Sequence, residues 1–312
     1  MNLMSTEIEV EESDFTHLVH IEPQYDSLRI SNSLGVEIDP DAFIEHLRKV
    51  EGMDRIRRLI INYNSTLTNL NVLCTFTKLR ILHIYGQYIK TFEGIEWFDK
   101  GEYILIETHR NKRRDISQLS KTQVKSIDLI VERVEDLTAI AECRSLKKLD
   151  LNRSMEVDLT QWRSVPFEFI GFRRGKFKEL GNIAAIPELK EIYVLGCRAL
   201  ERFTGDNSNI TRIIVDGCKK LDLRTLSSFE KIETLIVNSC PNEMNLCELG
   251  ELKYVKHLDF ILCNVQVDII ELKLYFPNLE SLHISRMKKE YGMQLKQLNP
   301  DIEITGSSFR LE

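Results

Sequence analysis

The chain has 312 residues, of which 43% are hydrophobic and 29% are charged, a balance typical of a globular protein with ample material for a core. Its formal net charge of −6 argues against a general nucleic-acid binder, because such proteins usually carry a basic excess. No stretch reaches the roughly 18 apolar residues that a membrane-spanning helix needs, so we expect no membrane segment.

The N-terminal segment, residues 1–24, is acidic and begins MNLMSTEIEVEESDF. It lacks the basic and apolar regions of a secretory signal, and we expect residues 1 to about 14 to be disordered. The chain contains seven cysteines, an odd number without a CxxC pair. That usage fits a reducing compartment in which thiols stay free, so we expect a cytoplasmic location.

Residues 25–55 carry one strong helix signal. Asp39 and Pro40 precede the amphipathic run AFIEHLRKV, and Gly52 lies beyond it. A polar cap, a first-turn proline and a following glycine together predict a well-capped helix. We expect this helix to close the N-terminal end of the repeats that follow it.

From residue 56 to residue 298 the sequence repeats itself, mostly every 21 to 24 residues. The segments LKKLDLNRS, LKEIYVLGC, ITRIIVDGC, IETLIVNSC and LESLHISRM are apolar at their first, fourth and sixth positions. Extended in both directions, this register makes all 26 residues at positions four and six apolar, which chance would give with a probability on the order of 10⁻¹⁰. Position four is Leu28, Leu59, Leu82, Ile104, Ile127, Leu149, Ile170, Ile192, Ile213, Leu235, Leu258, Leu282 and Ile302, and position six lies two residues further on.

These segments resemble the leucine-rich repeat consensus LxxLxLxxN/C. The resemblance implies an α/β fold, a right-handed leucine-rich repeat solenoid with a curved parallel sheet on its concave face and short helices and turns on its convex face. Side chains alternate along a strand, so positions four and six would face the core and positions three, five and seven the open face of the sheet. The repeat length is similar to that of internalin-like and phosphatase-regulator repeats, which implies a scaffold or regulatory adaptor.

The segments between the predicted strands also recur. An acidic residue followed by leucine predicts the N-cap of a short helical turn at Asp136, Asp158, Glu179 and Asp222, whereas residues 205–209 predict an open loop. Residues 299–312 would form a C-terminal cap and tail, because LKQLNPDIEI resembles the closing helix and strand of many leucine-rich repeat proteins.

Four cysteines occupy position nine of consecutive repeats, namely Cys197, Cys218, Cys240 and Cys263. Four thiolates could hold zinc, but stacked positions lie in a row about 5 Å apart instead of converging on one point. The resemblance makes position nine an inward residue that hydrogen-bonds the neighbouring repeat, so we predict a structural ladder without metal or cofactor. No HExxH, GxSxG or phosphate-binding loop appears, and we predict that the chain is not an enzyme.

Basic residues gather in the middle of the chain. Register places Arg153, Arg173 and Arg174 at the ends of adjacent predicted strands, and further basic residues nearby are Arg110, Lys112, Arg113, Arg114 and Lys176. Such a patch could attract phosphate or an acidic partner, although charge runs more often form a solvated rim.

The open face carries the main functional hypothesis, because apolar and aromatic side chains replace the polar ones expected on a solvated face. Charges such as Asp128, Asp150, Arg212 and Asp259 would rim them, although β-branched residues also simply suit a parallel strand. The residues that we predict to bind a partner are Tyr85, Tyr103, Leu105, Tyr193, Leu195, Ile214, Ile236 and Ile261, and Ile60, Ile81, Ile130 and Phe169 share their face.

The sequence therefore predicts a monomeric, non-enzymatic module that recognises a protein partner on its open sheet face. Three alternatives stay open. One is an anion, nucleic-acid or phosphoprotein binder that uses the basic patch, which a strong salt dependence would reveal. The others are an immunity or inhibitor protein that blocks a toxin or enzyme, and a substrate receptor of a ligase.

Overall fold

The structure is a computed structural model that describes residues 6–107, 115–130, 135–154 and 156–311. The chain divides into two compact units, residues 1–149 and residues 150–312, and the boundary falls within a strand.

The first unit is built on a parallel sheet whose strands follow one another in chain order. The strands are β1 (Thr6–Glu11), β2 (Tyr25–Ser31), β3 (Arg58–Ile61), β4 (Ile81–Ile84), β5 (Tyr103–Glu107), β6 (Ser126–Ile130) and the start of β7 (Lys148–Asn152). The helices are α1 (Pro40–Leu47) and α2 (Glu135–Thr138). Short 3-10 helices cover Glu12–His17, Met53–Arg55, Asn71–Thr75, Ile95–Trp97, Ser117–Lys121 and Ala139–Glu142.

The second unit has the same construction, except that its last two strands pair with each other in antiparallel orientation. Its strands are β8 (Phe169–Arg173), β9 (Glu179–Gly181), β10 (Glu191–Leu195), β11 (Arg202–Thr204), β12 (Arg212–Asp216), β13 (Thr234–Asn238), β14 (Glu243–Asn245), β15 (His257–Ile261), β16 (Asn264–Gln266), β17 (Ser281–Ile284), β18 (Glu303–Gly306) and β19 (Phe309–Leu311). The main sheet has the order β8-β10-β12-β13-β15-β17-β18-β19, with β9 and β11, and β14 and β16, paired separately. Its α-helix is α3 (Lys289–Leu298), and 3-10 helices cover Leu159–Trp162, Ile183–Ala185, Leu223–Ser228, Leu246–Leu249 and Leu272–Leu274.

The predicted core positions form the core. All 26 residues at positions four and six are at most 2% exposed. Among strands β2 to β6 and among the main-sheet strands from β8 to β17 their register is also as predicted, whereas in the last repeat Leu282 pairs with Ile304. Ile304 therefore takes position four there, and Ile302 lies before the strand. Leu282 and Ile304 are 22 residues apart, which is the ordinary repeat length, so the predicted position is two residues too early. An even shift leaves both faces unchanged.

The expectation of a disordered N-terminus is wrong for residues 6 to 14. Strand β1 pairs in parallel with β2, so that Ile8 lies beside Leu28 and Val10 beside Ile30. The 3-10 helix that follows β1 begins with Glu12, whose side chain is fully buried. The acidic composition suggested disorder, but apolar Ile8 and Val10 alternate with acidic residues, and that alternation is a strand signal.

The capping predictions hold at three of the four positions that can be compared. Asp39 caps α1 by accepting a hydrogen bond from the backbone N–H of Asp41 at 3.0 Å, and Asp158 and Asp222 cap 3-10 helices in the same way. Glu179 instead begins β9, because the backbone of Arg202–Thr204 lies alongside and pairs with it. A fifth predicted cap, Asp136, cannot be compared, because its side chain is not among those that the structure describes.

Each unit thus stacks repeats that consist of one short parallel strand followed by a short 3-10 or α-helical turn, which is the leucine-rich repeat fold. Within the part of the chain that the structure describes, no helix combines the length and the apolar character needed to cross a membrane.

Candidate protein-binding surface on the open face of the sheet

In the second unit, three of the predicted binding residues stand side by side. Tyr193, Ile214 and Ile236 occupy position five of β10, β12 and β13, and each pairs with the next across the sheet. All three are half-buried. Adjacent parallel strands lie about 4.8 Å apart, so these side chains form one continuous strip, which we call the apolar row. The ring of Phe169 packs edge-on against Tyr193, with ring centroids 4.8 Å apart.

Leu195 and Ile261 lie at position seven and are also half-buried, but they do not adjoin each other. Asp216 and Asn238 occupy the same position on the two strands between them. The five predicted binding residues of this unit therefore do not form one contiguous patch. The surface is a row of three apolar side chains with two flanking ones, because a polar residue at position seven interrupts the second line.

An ion pair closes one end of the apolar row. Gly171 lies next to Tyr193 on β8, and the Asp150 carboxylate lies across this glycine, 2.9 Å from the place where a Cβ atom would stand. Arg173 binds this carboxylate in a bidentate manner. Its Nε donates to one oxygen at 2.8 Å and its Nη2 donates to the other at 2.7 Å. This geometry is the strong form of the arginine–carboxylate pair.

Asp259 closes the other end of the apolar row, next to Ile236. Burial raises the pKa of its carboxyl group, and one carboxylate oxygen is buried without a hydrogen-bond partner among the described residues. His283 stands 4.0 Å from that oxygen and shares a 2.7 Å hydrogen bond with the hydroxyl of Thr305. We expected Asp150 and Asp259 at the rim of the surface. Both instead occupy position five, the same strand position as the residues of the apolar row.

In the first unit, the predicted residues surround His83 on β4. Its ring meets the rings of Tyr85 and Tyr103 edge-on, at centroid distances of 6.1 Å and 5.8 Å, and Leu105 is its neighbour on β5. Ile60 also faces this side, yet it is only 3% exposed. It stands between the longer side chains of Arg29 and His83 in the same line, which shield it from solvent.

A pocket of about 320 Å³ opens beside this cluster. Its lining residues are Arg29, Arg58, Ile60, Asn62, Tyr63, His83, Tyr85 and Glu107. Burial, together with the positive charges of Arg58 and Arg29, lowers the pKa of His83 to about 4. Burial likewise raises the pKa of Tyr85. The sequence did not draw attention to the two arginines, although their positions three and five on adjacent predicted strands were a usable signal.

The predicted anion patch is brought together only in part. Arg153 and Arg174 are exposed and occupy position eight, where both adopt left-handed backbone conformations with φ of 66° and 52°. The backbone N–H of Arg153 donates to the carbonyl of Arg173 at 2.7 Å, so the three residues are neighbours. Arg173, however, is engaged by Asp150. Lys176 is exposed, and Arg110, Lys112, Arg113 and Arg114 lie outside the described residues.

The predicted cysteine ladder is buried, since Cys197, Cys218, Cys240 and Cys263 are at most 1% exposed. Three of the four thiols lie within hydrogen-bonding distance of the position-six carbonyl of the preceding repeat, as when Cys218 Sγ stands 3.6 Å from the carbonyl oxygen of Val194. Position nine therefore ties neighbouring repeats together. Within the described residues, no three His, Cys, Asp or Glu side chains are grouped to hold a metal ion.

Burial raises the pKa of three of these thiols, whereas the hydrogen bond with Cys218 lowers the pKa of Cys197. Burial raises the pKa of Cys240 to about 12 and also raises that of Cys263. The hydrogen bond between Cys197 and Cys218, together with burial, raises the pKa of Cys218. Such groups behave as small apolar side chains with a weak S–H donor.

No family model matches the chain, and no curated protein does. Among solved structures, the chain is similar to Toll in the Toll–Spätzle complex from Drosophila, with a TM-score of 0.54 and 14% identity over 91% of this chain and 40% of that one. It is also similar to the internalin InlF of Listeria monocytogenes, with a TM-score of 0.47 and 16% identity over 89% and 71% of the two chains. InlJ of the same organism gives 0.44 and 13% identity over 93% and 68%. At this identity, the Toll match supports the leucine-rich repeat fold alone.

Proposed function

We propose that this chain, which has the leucine-rich repeat fold, is a non-catalytic recognition module that binds a protein partner on the open face of its second unit. The apolar row carries the proposal, because three adjacent half-buried apolar side chains occupy strand positions that a purely solvated face would fill with polar ones. The solved structure of Toll with Spätzle shows a protein of the same fold in complex with a partner.

The surroundings of the apolar row also suit an interface. Binding energy concentrates in a few central aromatic and aliphatic anchors, while charged groups around them select and orient the partner. Here Tyr193 is the aromatic anchor, the Asp150–Arg173 pair lies at one end and Asp259 at the other. The partner would therefore present an apolar centre with polar groups on both sides.

The test replaces Tyr193 and Ile236 together by alanine. We expect the affinity for the captured partner to fall at least tenfold, because truncating such anchors costs roughly 2 kcal/mol or more each. The melting temperature should move little, since both side chains lie on the open face and not in the core. Proteins captured by the immobilised full chain are identified by mass spectrometry, and their affinities for wild type and variant are measured by surface plasmon resonance.

The control replaces Tyr254 and Leu274 by alanine. These residues are a tyrosine and an aliphatic residue of comparable size, 55% and 69% exposed, and they lie outside the strands. This control should bind the partner as wild type does. Equal binding by the apolar-row variant and wild type would show that the partner uses another surface, and a collapse of stability in that variant would show that the two faces were assigned the wrong way round.

The anion-binding alternative receives less support. Arg153 and Arg174 are adjacent and exposed. Arg173, the third arginine of the predicted patch, is neutralised by its ion pair with Asp150. Salt separates the two functions in the same binding experiment. Recognition by the apolar row changes little with ionic strength, whereas recognition through the arginines weakens steeply as salt is added.

We also propose a cytoplasmic location and a monomeric state. All seven cysteines are free, and five of them are buried, which suits a reducing compartment. Size-exclusion chromatography with light scattering tests the monomeric state, and fluorescence microscopy of the tagged full chain tests the location.

A further inference from the structure

We infer that the pocket of the first unit, formed by Arg58, His83 and Tyr85, binds a single carboxylate that an acidic side chain of the protein partner supplies. The inference rests on the proposed function, because the partner brings the carboxylate. It adds a second contact of different chemistry to the apolar row, and it predicts that the partner surface is acidic at one point.

Arg58 is the first reason. The residue is half-buried, and among the described residues its guanidinium group has no carboxylate partner. Its only hydrogen bond there runs from Nη2 to Nδ1 of His83 at 3.4 Å, and its Nε is buried without an acceptor. A partly buried charge without a counter-charge costs free energy, so an incoming carboxylate is stabilised by pairing with it. Arg29 differs, since Glu7 already pairs with it at 2.6 Å.

The neighbouring side chains present further donors. Because Nδ1 of His83 faces the Arg58 donor, the neutral ring carries its proton on Nε2. A pKa near 4 keeps this ring neutral at pH 7, and the raised pKa of Tyr85 keeps its hydroxyl protonated. The side-chain oxygen of Asn62 accepts from the backbone N–H of Tyr63 at 2.8 Å, which leaves the amide NH₂ as a donor. This set of donors matches an anion.

Glu107 is the one carboxylate among the described residues that line the pocket. Its charge helps to raise the pKa of Tyr85, whereas the charges that act on His83 are those of Arg58, Arg29 and Glu7. Glu107 therefore lies toward the Tyr85 end, and the Arg58 end stays positive. The charge distribution favours an anion at Arg58 over a cation, and the pocket of about 320 Å³ has room for an acidic side chain.

The experiment uses acetyl-glutamyl-amide as the probe and acetyl-glutaminyl-amide, its neutral isostere, as the control. Both are titrated into the full chain while the Cε1–H resonance of His83, assigned with a His83→Gln variant, is followed by NMR. We expect saturable binding of the glutamyl probe alone, with a Kd on the order of 1 mM. The bound carboxylate should also raise the pKa of His83 by about one pH unit or more, since a nearby negative charge favours the protonated ring.

Two variants test the assignment in opposite directions. Arg58→Gln should weaken glutamyl binding at least tenfold, because it removes the charge that pairs with the carboxylate. Glu107→Gln should tighten binding about two- to five-fold, because it removes a repulsive charge at the edge of the pocket. If Arg58→Gln fails to fold, the tightening by Glu107→Gln and the change in the wild-type His83 pKa still decide.

Equal binding of the two probes, or unchanged binding by folded Arg58→Gln, would overturn the inference. Binding of inorganic phosphate without binding of the glutamyl probe would also overturn it, by assigning the pocket to phosphate. The titration contains no partner and changes no residue of the apolar row. The carboxylate inference can therefore fail while the Tyr193 and Ile236 variant still loses its partner. The opposite result, in which the probe binds but the variant keeps its partner, is distinguished in the same way.

Discussion

The thiols at position nine illustrate how a single side chain can serve both the core and the connection between repeats. Each is small enough to be fully buried, and each lies close to a backbone carbonyl, as Cys263 does to Val237 at 3.4 Å. A buried carbonyl without a partner would cost free energy. Cysteine at this position fills space and supplies a weak donor at the same time.

Native thiol titration tests this view at the scale of the residue. At pH 8 we expect Cys74 and Cys247, which are half-buried, to react first, and the five buried cysteines to react only on unfolding. Burial raises the pKa of Cys143 to about 11 and that of Cys240 to about 12, so both stay protonated at that pH and the reactive thiolate is scarce. A chromogenic disulfide reagent, with and without denaturant, gives the two rates.

The same preparation is then assayed for zinc by elemental analysis, and we expect none in stoichiometric amount. Rapid reaction of all seven thiols in the native protein would contradict the buried ladder. Stoichiometric zinc, or a disulfide between ladder cysteines, would contradict the structural role and the proposed compartment together.

Individual side chains also show which features can be predicted from the sequence and which cannot. The alternation along a strand was enough to predict that Leu235 faces the core and Ile236 the open face. It could not predict that Ile60 is buried, because this depends on the length of the side chains on two other strands. The pocket beside Arg58 was missed for the same reason, since its walls come from strands β2 to β5.

At the scale of the element, β1 and the short 3-10 helix after it attach the N-terminal segment to the first unit. The Glu12 carboxylate accepts hydrogen bonds from the hydroxyl of Ser65, from the backbone N–H of Thr66 at 2.9 Å, and from the side chain of Asn32 at 3.3 Å. The acceptor is fully buried, and its donors come from two later segments of the chain. Glu12 therefore fixes β1 to residues that lie more than 50 positions away in sequence.

Replacing Glu12 by alanine should loosen this element. We expect the free energy of unfolding to fall by about 2–4 kcal/mol, because each buried donor left without an acceptor costs about 1–3 kcal/mol. Equilibrium unfolding in urea measures the loss, and limited proteolysis should show earlier cleavage between residues 6 and 24.

The matched control is Asp14→Ala, two residues further on in the same 3-10 helix. Asp14 is 66% exposed and pairs only with the exposed His17 in the described contacts, so its loss should leave stability unchanged. If Glu12→Ala behaves like this control, the N-terminal element contributes nothing to the fold. The acidic composition of this segment, taken alone, predicts that outcome, because it gives no weight to the short alternation of Ile8 and Val10.

At the scale of the whole molecule, a repeat of constant register assigns every strand residue to one of two faces. The fold could be predicted from the sequence because each repeat offers the same evidence again, and errors at one repeat, such as the shift at Ile304, do not spread to the others. The partner could not be predicted, because function resides in sites grafted on the fold. Those sites use positions three, five and seven, where the repeat imposes no residue type.

The division into two faces gives the last prediction, which compares two neighbouring residues on β13. Leu235 is fully buried between Ile213 and Leu258 on the adjacent strands, whereas Ile236 points the other way and is half-buried. Alanine at either position removes an equal number of carbon atoms, so the difference reports the environment. Leu235→Ala should lower the free energy of unfolding by about 2–5 kcal/mol, through lost transfer free energy and a cavity. Ile236→Ala should cost less than about 1.5 kcal/mol, because part of its surface is already in water. Urea unfolding followed by circular dichroism measures both, and a larger loss for Ile236→Ala would mean that the apolar row belongs to the core and cannot be the binding surface.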